Sequence, residues 1–168
     1  MEKIWLRNYP AGVPADINPN EVASLQALIE RSCTKFPERP AYTLMDRTIT
    51  YGDLDRLSRQ FAAYLQQVAG LKKGDRLAIM LPNVLQYPVA LAAAFRAGLT
   101  VVNTNPLYTP RELEHQLKDS GARALLILEN FAHTFAEVHA ATGIESVIVT
   151  GVGDLLGFPK SALVNFAL

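Results

Sequence analysis

With 168 residues, 49% of them hydrophobic and 19% charged, the chain can bury a sizeable core and lies outside the range of disordered sequences. Its 16 basic residues balance its 16 acidic ones, and neutrality without a basic stripe argues against nucleic acid as a main partner. The lone Cys33 excludes a disulfide framework and suits a reducing, cytoplasmic setting. Met1 to Pro10 hold no apolar signal core. The longest apolar stretch, Val84 to Val102, is broken by Gln86, Pro88, Arg96 and Gly98, whereas a membrane span needs about 20 apolar residues.

In chain order, residues 1–20 carry Pro10, Pro14, Pro19 and Gly12 and read as an extended arm without regular structure. Val22, Leu25, Leu28, Ile29, Cys33 and Phe36 then recur at helical spacing until Pro37 and Pro40 stop the pattern. Ala41 to Met45 and Thr48 to Thr50 flank Asp46-Arg47, which predicts a tight hairpin. Thr50 and Asp53 are spaced as a helix cap. The helix they open shows Leu54, Leu57, Phe61, Leu65 and Val68 on one face and ends at Gly70. Its polar face mixes Asp53 and Asp55 with Arg56 and Arg59, so core packing is favoured over more than a peripheral membrane contact.

From Arg76 onward the rhythm is βαβα. Leu77–Leu81, Leu99–Val102, Ala124–Leu128 and Val147–Val149 are apolar runs without alternation, as in strands covered on both faces. The expected class is therefore α/β: a parallel sheet of about four strands with flanking helices, preceded by a small β-hairpin and two helices. The first crossover helix begins either at Val84, with Asn83 as cap, or near Tyr87, with Pro88 in its first turn. The second is marked by Thr109, Pro110, Glu112 and a closing Gly121. The third spans about Phe131 to Ala141, with Phe131, Phe135 and Val138 inward. Residues 21–150 thus form an α/β unit. Residues 151–168 start a connection to a further part, because the tail Ala162 to Leu168 is still apolar.

Few residues carry chemistry. The loop Asn103 to Tyr108 follows a parallel strand, where α/β sheets hold ligands, though Asn and Pro also build turns. His115, His133 and His139 have no convergent metal-ligand spacing. Gly151-Val152-Gly153-Asp154-Leu155-Leu156-Gly157 approaches a dinucleotide fingerprint and suggests an NAD(P)-binding module. Its spacing departs from the standard, Pro159 interrupts the helix, and no acidic partner follows.

Six pieces fall in register with a known family: Ile49-Thr50-Tyr51-Gly52-Asp53-Leu54, Lys73-Gly74-Asp75-Arg76, Leu81-Pro82-Asn83, Arg96-Ala97-Gly98, Asn103 to Leu113, and Asp119-Ser120-Gly121-Ala122. The chain resembles the start of the adenylate-forming acyl-CoA synthetases, most of all the bacterial long-chain fatty-acid–CoA ligases. The resemblance implies the N-terminal portion of an enzyme that joins ATP and a fatty acid into an acyl-adenylate and pyrophosphate. Coenzyme A then displaces AMP. ATP, Mg2+ and CoA are implied for the full-length enzyme. The family's Thr/Ser/Gly-rich phosphate loop ending in Pro-Lys-Gly, its ribose-binding Asp and its C-terminal Lys domain do not occur in this chain. The chain alone is therefore expected to have no catalytic residue, to bind no cofactor tightly and to be inactive.

Carried over from relatives, Asn105, Pro106, Leu107 and Tyr108 line the CoA channel, and His133 lies near the coenzyme's nucleotide. The likeness further implies fatty acid and CoA as partners, a homodimer through the N-terminal arm, and a cytoplasmic setting at most peripheral to the inner face of the membrane. A non-catalytic interaction domain, a short paralogue partnering a complete ligase, is the alternative reading.

Overall fold

The computed structural model describes residues 2–167, and order begins earlier than the prolines of the arm suggest. Ile4–Asn8 form a 3-10 helix that buries none of its residues. The arm expected to be irregular thus holds one helical turn, and Lys3 Nζ reaches Asp16 Oδ1 at 2.6 Å. Helix α1 (Leu25–Lys35) starts at Ser24, whose hydroxyl accepts from the Ala27 amide at 3.0 Å. Val22, which shares the helical spacing, lies before that cap.

Strands β1 (Pro40–Leu44) and β2 (Arg47–Thr50) pair antiparallel. The turn is Met45-Asp46, with φ of 47° and 60°, one residue earlier than the Asp46-Arg47 expected. Two left-handed residues make the turn whose twist matches a two-residue hairpin, so strand geometry overrides the reluctance of Met to adopt positive φ.

Helix α2 (Tyr51–Gln67) opens with the expected reciprocal cap, the Thr50 hydroxyl on the Asp53 amide and the Asp53 carboxylate on the Thr50 amide. Its buried stripe is Leu54, Ser58, Ala62 and Leu65. Leu57 and Phe61 are half-buried, and Val68, expected inside, is exposed as the C-cap. Small side chains at Ser58 and Ala62 let the backbone of α2 approach its neighbour, which rotates the larger Leu57 and Phe61 toward the rim.

The remaining elements alternate: β3 (Arg76–Met80), α3 (Gln86–Arg96), β4 (Thr100–Asn103), α4 (Pro110–Ser120), β5 (Ala124–Leu128), α5 (Ala132–Val138), β6 (Ser146–Thr150) and α6 (Lys160–Ala167). The four strands form one parallel sheet in the order β4-β3-β5-β6. Uniform burial holds for the central β5 and for β3 beyond the exposed Arg76. The edge strands β4 and β6 are only partly covered.

Helix α3 begins at Gln86 with no side-chain cap, so Asn83 is not its cap. Pro88 sits in the first turn, where a missing amide forfeits no intrahelical bond. Helix α4 carries its full capping box, Thr109 with Glu112, and ends at Gly121 in the left-handed conformation, φ 62°. The third crossover divides into a 3-10 turn, the short α5 and another 3-10 turn at His139–Ala141. Helix α6 has no counterpart in the sequence reading.

Alternation along the central strands divides the core. Leu77, Ile79, Leu126 and Leu128 meet Leu65 of α2 and Ala90, Ala93 and Ala94 of α3. Ala78, Met80, Leu125 and Ile127 meet Leu113 and Leu117 of α4 and Phe135 and Val138 of α5. A third cluster, including Cys33, Ile49, Leu54 and Leu85, seats α1 and the hairpin.

Arg96 joins these layers. Its side chain is 6% exposed and reaches Glu30 at 2.7 Å, Asp55 at 2.6 Å and the Ser58 hydroxyl at 3.0 Å. Removing one partner of a buried ion pair strands the others. Glu30 and Asp55 are partly exposed and recover water, so Arg96→Met is expected to cost about 2–3 kcal/mol, read from urea unfolding; a change within error would remove Arg96 from this role.

The Arg59 hydrogen bond, reinforced by the charge of Arg96, holds the Asp55 carboxyl below its ordinary range against the opposing effect of burial. Asp53 is lowered by Arg56 and by the Thr50 amide. A carboxyl with a depressed folded pKa contributes stability above its unfolded pKa, about 4, and loses it as pH falls through the folded value. The urea midpoint should therefore drop as pH falls below about 4, and drop less steeply in Asp55→Asn. Equal slopes in the two proteins would contradict this assignment.

Candidate ligand edge at the strand ends

All four parallel strands deliver their following loops to one edge of the sheet. Strand β4 lies on one side of β3 and β5 on the other, so consecutive crossovers leave in opposite directions. The switch point therefore falls between the ends of β3 and β5, where an open α/β sheet forms its crevice. The segment after β3 is Leu81-Pro82-Asn83, and the segment after β5 runs through Glu129 to His133. Asn83 and His133 thus flank the crevice. The loop Asn105 to Tyr108 lies one strand further out, about 5 Å to the side at the strand ends.

That loop is built by its own side chains. Thr104 is buried and its amide donates to the Ile79 carbonyl at 3.0 Å, holding the end of β4 against β3. Asn105 Oδ1 accepts from the Leu107 amide at 3.0 Å, and its carbonyl accepts from the Tyr108 amide at 3.2 Å. Asn105 is therefore engaged in the turn. Pro106 is half-buried, and Tyr108 packs against the core cluster that includes Leu113 and Ile127. Leu107 is the outward member, 80% exposed. At the end of β4, Asn103 Oδ1 accepts from the Tyr87 hydroxyl at 3.0 Å and the Asn103 carbonyl accepts from Gln116 at 3.1 Å.

Sequence reasoning missed the Tyr87–Asn103 pair. The signal for it was Pro88, which fixes the first turn of α3 and so brings Tyr87 over the end of β4. Tyr87, Pro88, Asn83 and the hairpin residues Tyr42, Thr43 and Leu44 line a cavity of about 220 Å³. His133 is exposed, with Nε2 3.3 Å from the Thr134 hydroxyl. The structure therefore brings Asn105, Pro106, Leu107 and Tyr108 together and sets His133 across β3 from them.

The glycine-rich segment after β6 serves a different purpose from a pyrophosphate cradle. Asp154 Oδ2 accepts from the Gly151 amide at 2.9 Å and the Thr150 hydroxyl at 2.8 Å, while Asn165 Oδ1 accepts from the Gly153 amide at 2.6 Å. Asn165 Nδ2 donates to Asp154 Oδ1 at 2.7 Å. A Cβ on Gly151 or Gly153 would lie 2.7 Å from Asn165 Oδ1. The space that a dinucleotide would need is filled by α6. Partial burial pushes the Asp154 carboxyl up, but hydrogen bonds from Thr150, Gly151 and Asn165 outweigh it and hold the group below its ordinary range.

Among the described residues no group of His, Cys, Asp and Glu could hold a metal ion. His139 stands edge-on to Phe135, with ring centroids 5.3 Å apart, and His115 lies on the exposed face of α4. No helix among the described residues is long and apolar enough to cross a membrane.

The chain matches the model of the AMP-binding enzyme family over residues 29–167. It is 55% identical over all its 168 residues to the long-chain-fatty-acid–CoA ligase of Salmonella typhimurium, covering 30% of that protein. It is 35% identical over 163 residues to the ligase of the same name from Bacillus subtilis, covering 29% of it. Among solved structures, a long-chain-fatty-acid–CoA ligase from Archaeoglobus fulgidus superposes with a TM-score of 0.73 at 26% identity, over 95% of this chain and 32% of that one. The chain therefore spans about a third of the length of the relatives it matches. By the family match and by identity over its whole length, the chain belongs to the AMP-binding enzymes.

Proposed function

We propose that this chain is the N-terminal portion of a long-chain fatty-acid–CoA ligase and that it builds one wall of the coenzyme A channel. The observation that carries the reading is the 55% identity to such a ligase across the full chain. In the complete enzyme the fatty-acid carboxylate attacks the α-phosphorus of ATP, giving acyl-adenylate and pyrophosphate. The CoA sulfur then attacks the acyl carbon and AMP leaves with the bonding pair. Mg2+ would offset phosphate charge in the first step.

The residues present fit these groups unequally. The glycine-rich turn is already filled by Asn165, and the sequence has no phosphate loop, so no phosphoryl step is assigned to this chain. CoA fits better. The exposed Leu107 beside the half-buried Pro106 offers an apolar ledge at the strand ends, suited to a slender pantetheine arm. Asn105 fixes the ledge, Tyr108 anchors it, and His133 stands across β3, near enough to the crevice to meet the nucleotide end. The protein acts in the cytoplasm with at most peripheral membrane contact. The exposed Ile4, Trp5 and Tyr9 of the arm support a homodimer formed through it.

Two measurements test this reading. The 168-residue chain is expected to give no ATP–pyrophosphate exchange with palmitate, because it lacks preorganised phosphate-binding groups; measurable exchange would place the chemistry here after all. Joined to the remainder of the Salmonella relative, the chain should restore acyl-CoA formation. In that fusion, Leu107→Asp should weaken CoA use by about tenfold, equal to ~1.4 kcal/mol, with adenylate formation unchanged. Leu107 is exposed, so the fold survives the change, and equal loss in both half-reactions would sink the channel assignment.

A further inference from the structure

Asn103 closes β4 in register with Ile79 of β3. Side chains alternate along a strand, and Val101 packs with the α2–α3 side of the core while Val102 packs with the α4–α5 side. The Asn103 side chain therefore stands on the α3 side, where the Tyr87 hydroxyl donates to its Oδ1. From the other side of the sheet, Gln116 of α4 donates to its carbonyl. Two helices thus grip one exposed residue.

The strand end itself does not depend on the Tyr87 bond. The ladder with β3 already runs to Asn103, and the Thr104 amide donates to the Ile79 carbonyl. A bond to a side-chain amide leaves the backbone where it is and selects which way the amide faces. Exposed hydrogen bonds add little net stability, and holding a rotamer costs entropy. What the pair secures is orientation. Tyr87 is suited to this, because its ring packs on the core cluster of Leu77 and Ile79 and Pro88 sets the helical turn from which it starts. With Oδ1 turned to Tyr87, the Nδ2 end of the amide is turned from the ring. It carries two N–H donors, and no group among the described residues accepts from them.

Immediately along the chain lie Pro106 and Leu107, the apolar ledge of the proposed CoA channel. A pantetheine arm is not apolar throughout, since it carries two secondary amides, each with a carbonyl acceptor. We infer that Asn103 Nδ2 donates to a pantetheine amide carbonyl as the arm crosses the ledge, and that Tyr87 is the positioning residue that aims it. The inference rests on the CoA-channel reading above. Ligand sites combine an apolar wall with a few placed polar groups; Leu107 supplies the wall and Asn103 the donor. Asn105 is nearer the ledge in sequence, but its Oδ1 is committed to the Leu107 amide, so its side chain builds the loop. A purely structural clamp differs in one respect. It needs only the acceptor Oδ1, whereas a contact with CoA needs the donor.

The fusion with the remainder of the Salmonella relative separates the two. Asn103→Asp keeps an acceptor for Tyr87 and removes the donor. It should raise KM for CoA by about tenfold, with kcat at saturating CoA and ATP–pyrophosphate exchange within about twofold of the parent fusion. Pantetheine as acceptor should show the same rise; it has no phosphate for the new carboxylate to repel, so the contact is placed on the arm. Tyr87→Phe keeps the ring and should raise the same KM about threefold, yet add nothing in the Asn103→Asp background. A KM unmoved by Asn103→Asp, equal losses in both half-reactions, a rise seen with CoA but absent with pantetheine, or additive effects of the two substitutions would each overturn the inference. An active fusion in which Leu107→Asp raises KM for CoA and Asn103→Asp does not removes the inference alone. A fusion that forms no acyl-CoA removes the ligase reading and the inference with it.

Discussion

The guanidinium of Arg96 is the joint on which the layers depend. Three separate helices meet at it: its own α3, α1 through Glu30, and α2 through Asp55 and Ser58. Apolar contact alone would let α1 slide, because only Cys33 of that helix is buried. A planar fork with five donors fixes direction as well as distance, which a lysine at the same place could not do. The arrangement also governs the chain's one thiol. Burial first, and the nearby Asp55 carboxylate second, push the Cys33 thiol above its ordinary value, so it remains protonated and inert as a small apolar side chain.

A second arginine performs a similar task among the strand starts. Arg123 reaches Asp75 before β3 at 2.6 Å and Glu145 before β6 at 2.5 Å, and its amide donates to the Arg76 carbonyl at 3.0 Å. The starts of three strands are thereby clamped. The opposite edge, where the strands end, is held by turns, the Tyr87–Asn103 pair and the buried Thr104. The two edges thus divide the work. Ion pairs secure the strand starts, and short polar loops close the strand ends.

Sequence was informative where structure is decided locally. Thr50 with Asp53 and Thr109 with Glu112 could be read directly, because a capping box involves four consecutive residues and no distant partner. The run Ala124 to Leu128 coincides with β5 because a strand buried on both faces leaves no polar residue to blur its limits. Legibility failed where distant packing decided the outcome. The burial of Ser58 and Ala62 in place of Val68 depends on how closely α3 approaches. The Met45-Asp46 turn depends on strand twist, and α6 depends on Asn165 meeting the turn after β6. At the ligand edge, the residues Asn105 to Tyr108 were visible as a group. The switch point that sets His133 apart from them follows from strand order, which no local pattern encodes. The resemblance rested on six short motifs in register, and four of them have a visible structural duty: two cap helices, one ends a helix at Gly121 and one places Arg96.

The order β4-β3-β5-β6 also describes a sequence of construction. Strand β3 emerges first from the ribosome, β4 joins one of its edges through α3, β5 crosses to the other edge through α4, and β6 extends that side. Every arriving strand meets an edge that is still open, and none must displace a pair already made. The β3-β4 and β5-β6 pairs each close over one crossover, whereas pairing β5 with β3 closes over two and incurs the largest ordering entropy. Growth then proceeds in one direction, from β3 toward β6. Strand β6 is accordingly the last of the four to arrive, and the chain that follows it turns back as α6 onto the strand's own end.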